Sequence, residues 1–516
     1  MSPEDRSDER ATRREWLGLA VIALPCVLYS MDLTVLDLAV PALSVRLRPT
    51  GAELLWILDV YGFLVAGSLI TMGTLGDRIG RRRLLLFGAS AFGAASIFAA
   101  FAGSAGALIA ARAVLGVAGA TLAPSTLSLI RNMFREPAER RLAIGVWVSS
   151  YSAGTALGPL IGGVVLEHFW PGAAFLIGVP PMLLLLLTGP FLLPEFRDPR
   201  AGTLDLQSAG LSLAAVLLVV CGLKWIADGD FGGAPVACIA TGALLGALFL
   251  RRQPRLATPL LDLGLLRSPV FRTALAAYGL SSFVALGMYV LVAQYLQLVL
   301  GLSPLRAGAW TVPLALAFIA GSLLTPVLSR RVALGVLLPA GLALAAAGFA
   351  LLTRLEADGG PVLAGVSLAL FALGLSPVIT LSTDVMVGSV APERAGATAA
   401  LSETSSELGG ALGIALLGSV GTFAFRRAME AAPLSAMRAA ATARRTLTAA
   451  LAAARELDGP ARTELVESAR FAFTHSVRIA AGIATVITLV LALTTAVVLR
   501  RDREPSRLAT NERAPS

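Results

Sequence analysis

Residues 73–103 read GTLGDRIGRRRLLLFGASAFGAASIFAAFAG, and the two parts of this stretch decide the fold. The second part, 84–103, holds no charged residue and is long enough to cross a hydrocarbon core about 30 Å thick as a helix. The first part packs three glycines, one aspartate and four arginines into 73–83. Glycines 73, 76 and 80 permit a tight turn, Asp77 can cap the next segment or accept from an arginine, and Arg78 and Arg81 to Arg83 hold the loop on one side of a membrane.

Apolar runs of the same kind recur fourteen times, at about 16–41, 54–75, 84–103, 107–130, 142–166, 173–193, 204–227, 234–250, 270–298, 305–329, 332–353, 361–386, 400–424 and 478–499. They do not alternate as barrel strands do. The expected fold is therefore an all-α polytopic membrane protein. Composition agrees, because 56% of the 516 residues are hydrophobic, 15% are charged and the mean hydropathy is +0.77. A soluble protein carries about 25% charged residues, so this chain cannot coat a water-soluble globule. The net charge of +9 falls in short clusters between apolar runs and reads as topology signal, with no nucleic-acid partner implied. Three cysteines inside apolar runs and two histidines, His168 and His475, offer no disulfide framework, metal site or cofactor site.

Arginines collect on one side if the N terminus is cytoplasmic: near the N terminus, at 78–83, 131–141, 197–200, 251–272, 330–331 and 394, and from Arg500 onward. Both termini are then cytoplasmic, and the long loop 425–477 lies outside despite its arginines. That loop is expected to form two amphipathic helices broken at Asp458-Gly-Pro460. The first run contains Asp32 and has no small-residue cleavage site, so it reads as a retained span. Every basic residue but Lys224 is arginine, which with the alanine content suggests a GC-rich bacterial genome; helical spans in a bacterium are expected in the inner membrane.

The segment Gly321-Ser-Leu-Leu-Thr-Pro-Val-Leu-Ser-Arg-Arg331 is a degraded echo of Gly73–Arg83 at a corresponding place. The expected organisation is a cytoplasmic tail 1–15, a six-helix bundle 16–193, two inserted helices 204–250, a second bundle 270–499 with the outer loop 425–477, and a tail 500–516. The loop Gly73–Arg83 resembles the signature between helices two and three of the major facilitator superfamily. That resemblance implies a cytoplasmic latch formed by Gly73, Asp77, Arg78, Gly80 and Arg81. The string Gly145, Gly154, Gly158, Pro159, Gly162 and Gly163 reads in isolation as tight helix packing with a bend. Its full spacing resembles the pattern that marks exporting antiporters of the superfamily.

Charges inside the runs cost roughly 2.5–3.5 kcal/mol each at mid-helix on insertion scales, and they become functional candidates for that reason. Asp32 sits about 13 Å, and Asp59 and Arg112 about 8 Å, from the outer ends of their helices, so the arginine can reach either carboxylate. Glu403 and Glu407 share a helix face, and a buried pair so placed tends to keep one proton. Glu407 is expected about 10 Å from the cytoplasmic end of its helix. Asp384 reads as interfacial, and Asp37 as solvated or helix-packing.

Fourteen spans, the motif Met31-Asp-Leu-Thr-Val-Leu-Asp-Leu-Ala-Val-Pro41, Trp56-Ile-Leu-Asp-Val-Tyr61 and Pro392-Glu-Arg-Ala-Gly396 together resemble the fourteen-spanning drug:proton antiporters, near pumps for quaternary ammonium compounds and dyes. The resemblance implies proton coupling by Asp32, Arg112, Glu407 and Asp59. It also implies a site for lipophilic cations at Asp32 and Glu407; Tyr151 and Trp147 are expected to offer aromatic faces there, the alternative being ordinary packing. The expected partners are small lipophilic substrates, protons and lipid around a monomer. Residues 305–329 contain no acid, unlike some dication exporters. A dedicated exporter of one antibiotic or metabolite is the alternative. No Walker, GxSxG or HExxH string supports an enzyme.

Overall fold

The computed structural model of the chain describes residues 11–49, 51–197, 205–227, 232–256, 259–390, 395–431 and 446–501. These residues are helical throughout apart from short connections. The first group comprises α1 (Arg13–Leu47), α2 (Gly51–Ile79), α3 (Arg81–Ala100), α4 (Ala105–Gly119), α5 (Leu122–Met133), α6 (Pro137–His168), α7 (Ala173–Leu176) and α8 (Val179–Leu192). An inserted pair follows, α9 (Leu206–Ala227) and α10 (Gly233–Arg252). The last group is α11 (Pro269–Gln294), α12 (Pro304–Arg331), α13 (Leu334–Leu352), α14 (Pro361–Gly388), α15 (Ala395–Ala431), α16 (Leu447–Ala454) and α17 (Gly459–Arg501).

Local chemistry explains the breaks. Pro137, Pro269, Pro304 and Pro361 occupy first helical positions, where a missing N–H costs nothing. Ser104, Ser268 and Ser303 cap their helices by accepting from Ala107, Phe271 and Arg306 backbone N–H groups. Thirteen segments among the described residues are long and apolar enough to cross a membrane, with α4–α5 and α7–α8 each counted as one. The remaining expected span, 142–166, is α6. It is diluted by serines and glycines, yet its 32 residues reach about 48 Å.

One hydrophobic core is built mainly from α1 to α8, around Ile22, Leu85, Leu108, Leu127 and Trp147, and takes in Val387, Ala395 and Ala399 from the end of α14 and the start of α15. A second is built from α11 to α17, around Met288, Leu342, Phe349, Phe371 and Val477. The two meet where α2 crosses α15 and α6 crosses α12. Small residues allow both crossings: a Cβ on Gly73 would lie 2.7 Å from the Gly396 carbonyl oxygen, and one on Gly145 would lie 2.7 Å from that of Ser322. Helix α9 seats on α2 and α15, burying Val216 and Val220 against Phe63 and Ala66. Beside it, Gln253 Oε1 accepts from the backbone of Leu260 and Leu261, and Asp205 pairs with Arg252 at 2.9 Å.

The structure corrects three expectations. Helix α15 begins at Ala395, so Glu407 lies about 18 Å from its start, deeper than expected. Helix α1 extends to Leu47, which places Asp32 about 22 Å from that end. Residues 459–477 are not a separate amphipathic helix but the beginning of α17, whose 43 residues span about 65 Å. The break at Gly459 is present, with φ of +60°. Leu447, Ala450 and Ala454 of α16 are buried in the same core as Leu465, Ala469 and Phe473, so this segment is packed. The tail 1–10, residues 392–394 of the Pro392–Gly396 motif, residues 432–445 of the expected loop and 502–516 lie outside the described residues.

Candidate functional site

Helix α4 carries Arg112 into the first core with no exposure, and three neighbours hold it. Its guanidinium forms an ion pair with Asp32 of α1, donates from Nε to the Ile57 carbonyl of α2 at 3.2 Å, and stacks 4.5 Å from the Tyr61 ring centroid. Gly116 makes the fit possible, since a Cβ there would come 2.6 Å from the Tyr61 carbonyl oxygen. A guanidinium stacked on an aromatic face and hydrogen-bonded to carboxylate and carbonyl is fixed in place. The sequence expectation that Arg112 reaches a carboxylate is met at Asp32. The side chains of Asp59 and Asp37 lie outside those described.

The second acid centre lies on α15. Tyr29 of α1 donates to Glu407 Oε1 at 2.7 Å, a hydrogen bond that joins the two cores. Tyr278 of α11 donates to Glu403 Oε1 at 2.9 Å, and the Ser282 and Ser406 hydroxyls are 2.7 Å apart. The two glutamates share a helix face yet have different phenol partners. Around Tyr29 the rings form a box: Tyr61 at 6.0 Å, Tyr151 at 5.7 Å, and Trp147 at 4.9 Å from Tyr151. Trp147 is anchored by its Nε1 donating to Thr126 Oγ1 at 2.9 Å. The rings of Tyr61 and Tyr29 lie between Arg112 and Glu407, so the two acid centres are neighbours through aromatic faces.

At one end of the molecule, Asp77 and Arg81 form a buried ion pair, and Asp77 Oδ2 accepts from the Ala397 N–H at 3.2 Å. This ties the α2–α3 turn to the start of α15. Gly80 makes the turn at φ +111°, beside the Glu195 carboxylate, which also approaches Arg82 at 3.6 Å. Arg78 forms no ion pair with another described residue, so of the expected latch residues Asp77 and Arg81 form the tie.

A second tie lies on the opposite seam. Arg140 Nε and Arg141 Nε of α6 reach Asp384 of α14 at 2.7 and 3.2 Å, and Arg141 also donates to Ser329 of α12 at 3.2 Å. Asp384 lies four residues from the end of α14, near the place expected for it, and is buried between its two arginines. Its partners are 244 and 243 residues away, beyond any spacing rule.

The antiporter-type glycines divide by task. Gly145 lets α6 meet α12 across the cores, and Gly154 and Gly162 seat α6 on Val27 and Val35 of α1. Gly163 faces open space, Gly158 is buried, and the side chain of Pro159 lies outside those described. Among the described residues no group of three or more His, Cys, Asp or Glu is placed to hold a metal ion.

Comparison with known proteins supplies a lineage for this arrangement. The family model described as Major Facilitator Superfamily matches residues 22–414. The chain is 42% identical to the multidrug efflux pump LfrA of Mycolicibacterium smegmatis, over 96% of this chain and 98% of that protein. It is 34% identical to the methyl viologen resistance protein SmvA of Salmonella typhimurium, covering 93% and 97%. It is 33% identical to the tetracenomycin C resistance and export protein of Streptomyces glaucescens, covering 78% and 76%. Among solved structures, the human organic anion transporter MFSD10 superposes with a TM-score of 0.60 at 15% identity, covering 92% of this chain and 99% of that one. A bacterial homologue of the lysosomal transporter Spinster gives 0.54 at 20% identity, covering 95% and 99%. These two likenesses concern the fold.

Proposed function

The chain belongs to the Major Facilitator Superfamily, as a relative of its multidrug efflux pumps and not an enzyme, and from that premise we propose that it is a proton-coupled antiporter exporting lipophilic cations. The two cores, 16–193 and 270–499, rock against one another about the α2–α15 and α6–α12 crossings, while α9 and α10 ride as a spacer. The end bearing Asp77, Arg81, Arg140 and Asp384 faces the cytoplasm of a bacterial inner membrane, because the arginine clusters lie there. The observation that carries this reading is the pairing of a locked ion pair, Asp32 with Arg112, and a glutamate, Glu407, that a phenol reaches from the other core.

An intramembrane carboxylate is costly unless paired, so a proton and a cationic substrate compete for the same acid. Arg112 balances Asp32, and Glu403 and Glu407, each reached by a phenol, are the acids offered to the substrate's charge. Two such acids suffice for a dication although 305–329 has none, and methyl viologen resistance in SmvA is consistent with this. Tyr29, Tyr61, Tyr151 and Trp147 present faces to a flat cation. Exchanging one proton for a monocation is electrically silent, whereas exchanging two also draws on the membrane potential, about 2.3 kcal/mol per charge per 100 mV.

Proteoliposomes with imposed pH gradients test the proposal, using ethidium as the probe. Wild type moves dye against proton flow, and Asp32→Asn and Glu407→Gln do not. Dye movement that ignores the gradient would refute coupling. The likeness to the tetracenomycin C export protein favours a second reading, export of one antibiotic. Gradient-driven antibiotic movement with no dye movement would support it.

A further inference from the structure

The two acids of α15 are held differently. Tyr278, the donor to Glu403, stands on α11, and α11 and α15 are packed backbone to backbone: a Cβ on Gly287 would lie 2.6 Å from the Gly413 carbonyl oxygen. These helices belong to one core, so that hydrogen bond survives any movement of one core against the other. Tyr29, the donor to Glu407, stands on α1 in the other core. Its ring is steadied from its own side by Tyr61 and Tyr151, and its hydroxyl occupies one carboxyl oxygen of Glu407.

Resting on the proposed role of Glu407, we infer that Tyr29 is a positioning residue whose phenol occupies Glu407 in the empty transporter and is displaced by the cationic substrate. The phenol presents a partial positive charge where the substrate brings a full one. It also bridges the cores only while the site is empty. Glu407 is therefore the acid that reports occupancy to the moving halves, and Glu403 stays with α11 throughout.

Tyr29→Phe tests this, because it keeps the ring and deletes only the competing hydroxyl. Ethidium binding to the full-length transporter in detergent is measured by fluorescence titration, in wild type, Tyr29→Phe, Glu407→Gln and the double variant. With the competitor removed, Tyr29→Phe binds about fivefold more tightly. The gain disappears when Glu407→Gln is the background. A merely structural tyrosine gives weaker binding and leaves the same ratio in both backgrounds. If Tyr29→Phe binds equally or more weakly while Glu407→Gln loses affinity, the competition is overturned and Glu407's role stands. If Glu407→Gln binds as wild type, Glu407's role itself falls, and this inference with it. Elution as a single species by size exclusion and an unchanged thermal midpoint identify samples whose binding is interpretable, and Tyr29→Leu, which has no side-chain donor, gives a second reading of the sign.

Discussion

Replacing Asp384 by asparagine removes the charge that Arg140 and Arg141 share across the α6–α14 seam. The carboxylate side chain is 8% exposed, while Arg140 and Arg141 are 12% and 28% exposed. Removing one member of a buried pair costs about 3–5 kcal/mol, and partial hydration of the arginines lowers this to about 2 kcal/mol for the closed arrangement. At 1.4 kcal/mol per factor of ten, the ratio of closed to open at this end falls about thirtyfold. Spin labels at positions 135 and 330, both exposed and on opposite cores at the same end, report the change by pulsed dipolar spectroscopy in a background without the native cysteines. Asp384→Asn shifts the distance distribution towards longer separations, and Asp384→Glu shifts it less. An unchanged distribution in a folded Asp384→Asn sample refutes the assignment of this cluster as a closing contact.

Three further outcomes are expected. Arg112→Lys loses dye exchange as fully as Asp32→Asn, because a lysine cannot serve Asp32, the Ile57 carbonyl and the Tyr61 ring together; proteoliposome flux measures it. Gly154→Ala drives a Cβ into the α1 backbone at Val27 and costs about 1–3 kcal/mol, whereas Gly163→Ala meets open space and leaves the thermal midpoint unchanged. The hydrogen bonds from Arg252 and Ser208 hold the Asp205 carboxyl down at about 2 from its ordinary 3.8. A lowered acid contributes stability that is complete above its unfolded value and is lost as pH falls through its folded value. Protection from hydrogen exchange in 206–227, taken relative to the unprotected chemical rate at each pH, therefore falls between about pH 4 and pH 2, and Asp205→Asn abolishes that step.

The spans were legible because each apolar run exceeds the membrane's thickness. The loop at 73–83 was legible because glycines, an aspartate and arginines are crowded between two such runs. A charge of each sign inside neighbouring spans pointed to the Arg112–Asp32 pair, although the depth assigned to Asp32 was too shallow. Sequence could not find Tyr29 for Glu407, because the pair is 378 residues apart and tyrosine in a span is usually packing. The partners of Asp384 were hidden for the same reason, its arginines lying on another helix. The start of α17 was hidden by its own charges: Arg462, Glu464, Glu467 and Arg470 end the apolar pattern without ending the helix. Here helix propensity and packing onto α16 carry what hydropathy does not.

The most direct measurement is proton release on binding. Purified transporter in weakly buffered detergent solution at neutral pH receives ethidium, and the change in a pH indicator is read against the cation bound. Wild type releases about one proton per cation, and Glu407→Gln releases none. Stoichiometric ethidium binding by wild type with no proton released would contradict a shared acid.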